Sequence, residues 1–297
     1  MQNLRGTLQQ AQQARVGLGH FNITDLVQLK AVFEAARDLH VPVLVGASEG
    51  EREFAGTRQL AALVKSLREE FDYPIFLNAD HTHSLAKAVE AVKAGFDSVV
   101  YDLSALPLEE NVRQTRAAVE ALKSIDPSVL VEGETGDIGT GSSIHDDVPL
   151  APQLLTTASE ARQFVAEPRV DILAPAVGNS HGMRKSMVIG QEKKHLNIER
   201  IREIKAAAGV PLTLHGGSGT SNDDFQAAIR AGINIVHINT ELRLAWRKGL
   251  EQGLATGDDE VVPYKILPHA IASIRQVVSA RLWLFNHLPS VETFTAG

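Results

Sequence analysis

Apolar residues recur along this chain in short runs of four to seven positions, each followed by a stretch in which they return every three or four. The runs cover 16–21, 42–46, 74–79, 97–101, 128–132, 171–177, 211–214 and 233–238. They are rich in Val, Ile, Leu and Phe and read as buried strands. The intervening stretches have helical spacing. In 24–40, Leu26, Leu29, Val32, Phe33 and Ala36 share one face. The stretch 84–94 opens on Ser84 and stops at Gly95, and 222–231 is bracketed by Ser221 and Gly232, as helix caps require. The stretches 109–124 and 198–208 behave likewise. Eight strand–helix units predict an α/β fold with parallel pairing, a (β/α)8 TIM barrel, with 263–286 as an additional C-terminal helix. A doubly wound open sheet is the competing architecture. It is disfavoured because polar residues stand at nearly every strand end, whereas an open sheet gathers them at one switch point.

Length fits this reading: 297 residues accommodate one large barrel, whose usual size is about 250, and no shift in composition divides 1–297. A net charge of −7 with no basic run argues against nucleic acid and anionic membrane as partners. No apolar segment is long enough to span a bilayer. The opening Met1-Gln2-Asn3-Leu4-Arg5-Gly6 lacks the apolar stretch of a signal peptide, so the expected location is cytoplasmic. The chain has no cysteine, so any metal site must use His, Asp or Glu.

Three histidines supply such a site. His81, His181 and His215 each end an apolar run, and in a barrel the ends of parallel strands meet at one rim. Three imidazoles with a fourth position open are the ligand set of a catalytic zinc. Asp80 stands directly before His81. In a continuing strand neighbours face opposite ways, so both reach the cavity only if the chain bends there. His83, two residues on, reads as a loop residue. His20, His40, His145, His195, His269 and His287 show no clustering. Asp102 ends the fourth run. Glu132 and Glu134 alternate with Gly133 at the end of the fifth and so share a face; they hold a second metal, brace the metal histidines, or pair inside the barrel. Gly216-Gly217-Ser218-Gly219 and Gly178-Asn179-Ser180-His181-Gly182 join strand to helix through turns whose free N–H groups suit an anion. Phosphate sites in barrels follow strands seven and eight, where Gly216, Ser218, Asn239, Thr240 and Arg243 lie. Lys185 is a cation within reach of the same cavity. The two longest irregular segments, 135–156 and 179–195, follow strands and are candidate lids.

In combination these motifs resemble the class II, metal-dependent ketose-bisphosphate aldolases, the fructose- and tagatose-bisphosphate aldolase family. The resemblance runs from Phe21-Asn22 to the final helix and rests on Asp80-His81, Val131-Glu132-Gly133-Glu134, the two glycine turns and Asn239-Thr240-Glu241. It implies a zinc ion on His81, His181 and His215. Asp102 and Glu134 match positions linked to a second divalent or monovalent cation, or to the metal at rest. It implies Asp80 as the acid/base serving the aldehyde oxygen. Gly182, Gly216 and Ser218 then bind dihydroxyacetone phosphate. Lys185, Asn239, Thr240 and Arg243 contact substrate and phosphate, and Asn22 and Ser48 line the cavity. The implied partner is a phosphorylated sugar, fructose or tagatose bisphosphate or another phosphoketose, and the implied assembly is a homodimer or homotetramer.

Two departures stand out. Many members carry asparagine where this chain has His237, a substrate-binding position. The loop after Glu134 lacks the usual Gly-Gly-acid-acid pattern, leaving Asp146, Asp147 or His145 as the proton-abstracting residue. Three competing readings are a Schiff-base aldolase, a metal hydrolase, and a non-catalytic metal-binding barrel with a regulatory or interaction role. The first needs a strand-end lysine, which none of the eight runs offers. The second explains the glycine turns less well, and the third has no use for a complete ligand set.

Overall fold

Eight parallel strands close into a barrel in the computed structural model, which describes residues 3–139, 141–147, 154–257 and 259–287. The strands of the chain are β1 (Leu18–Asn22), β2 (Val43–Ala47), β3 (Ile75–Thr82), β4 (Ser98–Tyr101), β5 (Leu130–Thr135), β6 (Ile144–His145), β7 (Ile172–Pro175), β8 (Met183–Arg184), β9 (Leu212–Leu214) and β10 (Ile233–Ile238). Around the barrel the order is β1, β10, β9, β7, β5, β4, β3, β2, so strands successive in the barrel are neighbours. The pair β6–β8 forms a separate two-stranded sheet above it.

Strand alternation sorts side chains into two cores. Phe21, Val43, Val45, Leu77, Val99 and Val131 face outward and pack under the helices. Leu18, Leu44, Phe76, Leu130, Ile172 and Ile235 face inward and fill the lower barrel. Leu4 and Leu8 of the helix Leu4–Ala14 join this inner cluster. The sequence pattern missed this helix, whose apolar face is only three residues long. Its N-cap Asn3 accepts from the Gly6 N–H at 2.8 Å.

Above the apolar layer the inward positions turn polar. His20, Asn78, Ser98, Glu132, Thr213 and His237 are all buried there. They pair with one another: Asn78 Nδ2 donates to Ser98 Oγ at 2.8 Å, and Thr213 Oγ1 to Glu132 Oε2 at 2.8 Å. Apolar floor and polar upper layer together dictate which rim can carry chemistry.

The expected C-terminal helix is two, Pro263–Ile266 and Pro268–Phe285. Pro268 has no N–H to continue the hydrogen-bond ladder of the first helix, and it stands at the first position of the second, where none is needed. The long helix packs between Leu26–Leu39 and Thr240–Leu254 and closes the helical ring where first and last units meet. Among the described residues no helix is long and apolar enough to cross a membrane.

Candidate active site

The site is built at the carboxyl rim, and its geometry starts from a defect in β3. Asn78 and Asp80 are inward positions, so a regular strand would turn His81 outward. Instead the β3–β4 register shifts between Ala79 and Thr82, and His81 has φ +29°. The bulge swings His81 back over the barrel, and Asp80 and His81 line one cavity. A non-glycine residue at positive φ costs about 1–3 kcal/mol. Arg52 offsets it. This buried guanidinium donates to the Asp80 carbonyl at 3.2 Å, to Thr82 Oγ1 at 3.0 Å and to the Ala47 carbonyl, bracketing His81 on both sides.

Three imidazoles then converge. His81 Nδ1 faces Asp102 Oδ2 at 2.8 Å, and His181 Nδ1 donates to the Gly139 carbonyl at 2.7 Å. A carbonyl only accepts, so His181 must carry its proton on Nδ1 and present a lone pair on Nε2. His81 Nε2 stands 3.1 Å from that Nε2. His215 completes the group, with Nε2 at 2.7 Å from Glu132 and Nδ1 at 2.8 Å from Glu134. The shared face of Glu132 and Glu134 is therefore spent on one imidazole. Ligand atoms of His81, His181 and His215 lie within 4.8 Å of one another, as do those of His81, Asp102 and Glu134.

This donor set fits a divalent cation. A four-coordinate ion held by imidazole at about 2.0–2.1 Å sets neighbouring nitrogens about 3.3 Å apart, close to the observed 3.1 Å. The outward nitrogens of His81 and His181 rest on oxygen acceptors, the usual support of metal-binding histidines. Charge points the same way: the carboxylates of Asp80, Asp102, Glu132 and Glu134 are gathered around the three rings. Burial opposes the charged form of His81, yet Asp80 and Asp102 raise it to about 9. Burial likewise opposes charging His215, and the two glutamates still hold it well above its ordinary value. His181 is lowered to about 4 by burial and by His81. Burial, then the neighbouring Asp102, pushes the Glu134 carboxyl up, a cost that a bound cation would relieve.

Beside it, Asp80 accepts from Asn22 Nδ2 at 2.9 Å. Burial works against its charge, but His81 and His237 hold it well below the usual carboxylate range. Its second oxygen, Oδ1, has no hydrogen-bond partner and faces His237 Nδ1 at 3.4 Å. His237 stacks on His20, ring centroids 3.4 Å apart and planes within 5°. Burial, then His20 and His215, lowers His237 well below its ordinary value, so it stays neutral. The ring of His20 occupies the space a side chain at Gly46 would fill, because a Cβ there would lie 2.2 Å from it. His20 was not expected to cluster. Its pairing with His237 depends on β1 and β10 being neighbours in register, which a linear pattern does not reveal.

The anion side is made by Gly182, Gly216, Ser218, Asn239 and Thr240, all lining the cavity with Asn22 and Ser142. Gly216 has φ +60°, and a Cβ there would lie 2.3 Å from the Ser180 carbonyl, so only glycine lets the two loops approach. Thr240 opens the helix Thr240–Leu254, whose N-terminus points into the cavity beside Ser218. Arg243 stands at the edge, donating to Glu51 at 2.7 Å and to the Ser142 carbonyl at 2.9 Å. Glu51, buried and absent from the sequence reading, also accepts from Asn22 Nδ2 at 2.8 Å. Its signal was present: Ser48 and Glu51 form the capping box of the helix Glu49–Ala55.

Four expected residues lie elsewhere. Ser48 caps that helix, its N–H donating to Glu51 at 2.8 Å, and does not line the cavity. Lys185 begins the short helix Lys185–Val188 and pairs with Asp146 at 2.6 Å, both largely exposed, and it does not line the cavity. Asp147 accepts from the Ser186 N–H at 3.0 Å and is also exposed. Asp146 and Asp147 follow β6, which pairs with β8 through Ile144–Met183 and His145–Arg184; residues 140 and 148–153 of the first candidate lid lie outside the described residues. Of the three candidate bases in this loop, His145 sits nearest the cavity, against Gly182. His83 is exposed, and its Nδ1 donates to the Asp102 carbonyl at 3.0 Å.

Comparison with known proteins agrees with this geometry. The family model for fructose-bisphosphate aldolase class-II matches residues 2–288. Among solved structures, the YdjI aldolase of Escherichia coli K12 superposes with a TM-score of 0.80 at 25% identity, covering 96% of this chain and 97% of that one. A Coccidioides immitis protein assigned as a fructose-1,6-bisphosphate aldolase gives 0.82 at 24% identity, covering 96% of each chain. Fructose-bisphosphate aldolase of Campylobacter jejuni gives 0.78 at 20%, covering 95% and 94%. The last two likenesses speak to the fold, and the non-catalytic reading is set aside by the family match. Its barrel, its rim of converging histidines and a match along nearly its whole length place this chain in the class-II fructose-bisphosphate aldolase family, as a carbon–carbon lyase.

Proposed function

We propose that the chain is a zinc-dependent aldolase that reversibly cleaves a ketose 1,6-bisphosphate, fructose 1,6-bisphosphate foremost, to dihydroxyacetone phosphate and glyceraldehyde 3-phosphate. The observation carrying this reading is the juxtaposition of Asp80 with three convergent histidines on one side of the cavity and the glycine turns on the other. His81, His181 and His215 hold the ion, with Asp102 and Glu134 available to a second cation or a displaced one. Bound zinc supplies Lewis-acid polarisation of the ketone. Asp80 takes the hydroxyl proton of the carbon that becomes the aldehyde and returns it in condensation. Gly182, Gly216, Ser218 and Thr240 bind one phosphate through backbone N–H groups, hydroxyls and a helix N-terminus, and so orient the cleaved bond. Asn239 lines the cavity beside them, and Arg243 stands at its edge, held by Glu51. Asp146, Asp147 or His145 removes the carbon-bound proton of dihydroxyacetone phosphate in the condensation direction and returns it in cleavage.

His237 favours keeping a second sugar in view. Its Nε2 is buried at the cavity without a hydrogen-bond partner. It is free to meet a substrate oxygen, and it stands where many relatives carry asparagine, so substrate handling can differ here. We further propose that the chain works as one catalytic barrel, in the cytoplasm, as a homodimer or homotetramer, which light scattering on a sizing column decides.

Cleavage of both sugars, coupled to triose-phosphate detection before and after chelation with zinc add-back, tests the proposal. Activity lost to chelator and restored by zinc supports it and ranks the sugars. No cleavage of either by fully metallated protein overturns the substrate assignment.

A further inference from the structure

Lys194 is buried, 6% exposed, in a chain whose other lysines largely reach solvent. Its Nζ donates to three backbone carbonyls, Ser180 at 2.6 Å, Gly182 at 2.6 Å and Gly216 at 3.0 Å. Those carbonyls belong to the loops after β7 and β9, the two turns that carry His181 and His215 and form the anion cradle. We infer that Lys194 is a positioning residue: its ammonium acts as a built-in monovalent cation that clamps the two glycine loops into the geometry the substrate phosphate requires.

Three features support this. First, three acceptors need three donors, and only the ammonium has them; the neutral amine has two. Burial pulls Lys194 down to about 7, and Glu241 opposes the shift. Second, the carbonyls cannot turn elsewhere. Each shares a peptide plane with the N–H that follows it, and those N–H groups are committed: His181 to the Ile138 carbonyl at 2.9 Å, Met183 to Ser143 at 2.9 Å and Gly217 to His237 at 3.1 Å. Third, the main chain of Lys194 is fixed to the same loop. Its N–H donates to the Gly219 carbonyl at 2.9 Å, and it bridges Thr220 in parallel pairing. A clamp on an unanchored stem would order nothing. The glycines thus meet a ligand on one side and a cation on the other.

The inference rests on the phosphate reading of the cradle, and its test separates the two. Lys194→Ala leaves a void lined by three carbonyls; Lys194→Met keeps the stem and fills the void without charge. Cleavage of fructose 1,6-bisphosphate and thermal melting are measured in choline, sodium, potassium and ammonium chlorides at one ionic strength. In choline chloride both variants should show a KM raised about tenfold or more, the scale of losing a buried charged hydrogen-bonding centre, with kcat changed far less. Potassium or ammonium should restore KM and melting temperature in the Ala variant and not in the Met variant. Wild type should be indifferent to the cation.

A wild-type enzyme that itself needs potassium, an Ala variant equally impaired in every salt, or a Met variant with normal KM would overturn the clamp. The wild-type measurement decides even where a variant does not fold. Cation-specific recovery of melting temperature without any sugar cleavage or binding of inorganic phosphate would keep the clamp and remove the phosphate reading.

Discussion

At the residue scale the site is decided by which atom of each side chain is already committed. His181 gives its Nδ1 proton to Gly139, and His81 rests Nδ1 on Asp102, so the Nε2 atoms are what remain for a metal. Replacing His81 by alanine should abolish stoichiometric zinc on elemental analysis and activity with it; normal metal content would remove His81 from the ligand set. Asp80→Ala should keep its zinc and lose about 10²–10⁴ in kcat, the range for a positioned acid/base, and near-normal turnover would end that role. The three histidines and Asp80 were legible in the sequence because residue type and strand-end position restrict them. Glu51, Arg52 and Lys194 were not. Each reads as an ordinary charge on a helix or loop, and becomes informative only on being found buried against partners far along the chain.

At the scale of elements, side-chain alternation carries most of the information and fails where a strand is irregular. The bulge in β3 follows from no residue preference visible in Asn78-Ala79-Asp80-His81-Thr82; it is held by Arg52 from a neighbouring helix. The His20–His237 stack likewise needs Gly46 on the adjacent strand. Gly46→Ala should drive a Cβ into the His20 ring, cost about 1–3 kcal/mol as overpacking does, and lower turnover more than zinc affinity; unchanged melting temperature and kcat would show the stack to be dispensable. The contact between the loops that precede β2 and β3, at Tyr73, offers a pH test. Its hydroxyl donates to the Val41 carbonyl at 2.6 Å, and burial pushes its pKa up to about 12. With an unfolded value near 10, its stabilisation is full below pH 10 and lost as pH rises through about 12. Tyr73→Phe should therefore cost about 1 kcal/mol near neutrality, with the gap in urea midpoint closing between pH 10 and 12. A constant gap would refute the assignment.

At the scale of the whole molecule, the barrel separates stability from chemistry. An apolar plug from Leu4, Leu8 and six inward residues fills one end, leaving the other to gather ionisable groups. A cation held among four carboxylates and three imidazoles binds the folded state alone, so metal should contribute to folding as well as to catalysis. Chelation should lower the melting temperature and zinc add-back restore it; a melting curve blind to both would mean that the site is held together without an ion. Hydrophobic periodicity alone specified eight strand–helix units, because strands and helices bury their faces at different repeats, and the strand ends that must carry chemistry followed from that. Periodicity does not say which inward side chains share a layer, where a strand bulges, or which buried charge meets which carbonyl. Those depend on strand neighbours and on loops brought together across the rim. The histidines proposed as metal ligands therefore belong to the sequence, whereas the bulge that aims His81, the His20–His237 stack and the three carbonyls around Lys194 belong to the closed barrel.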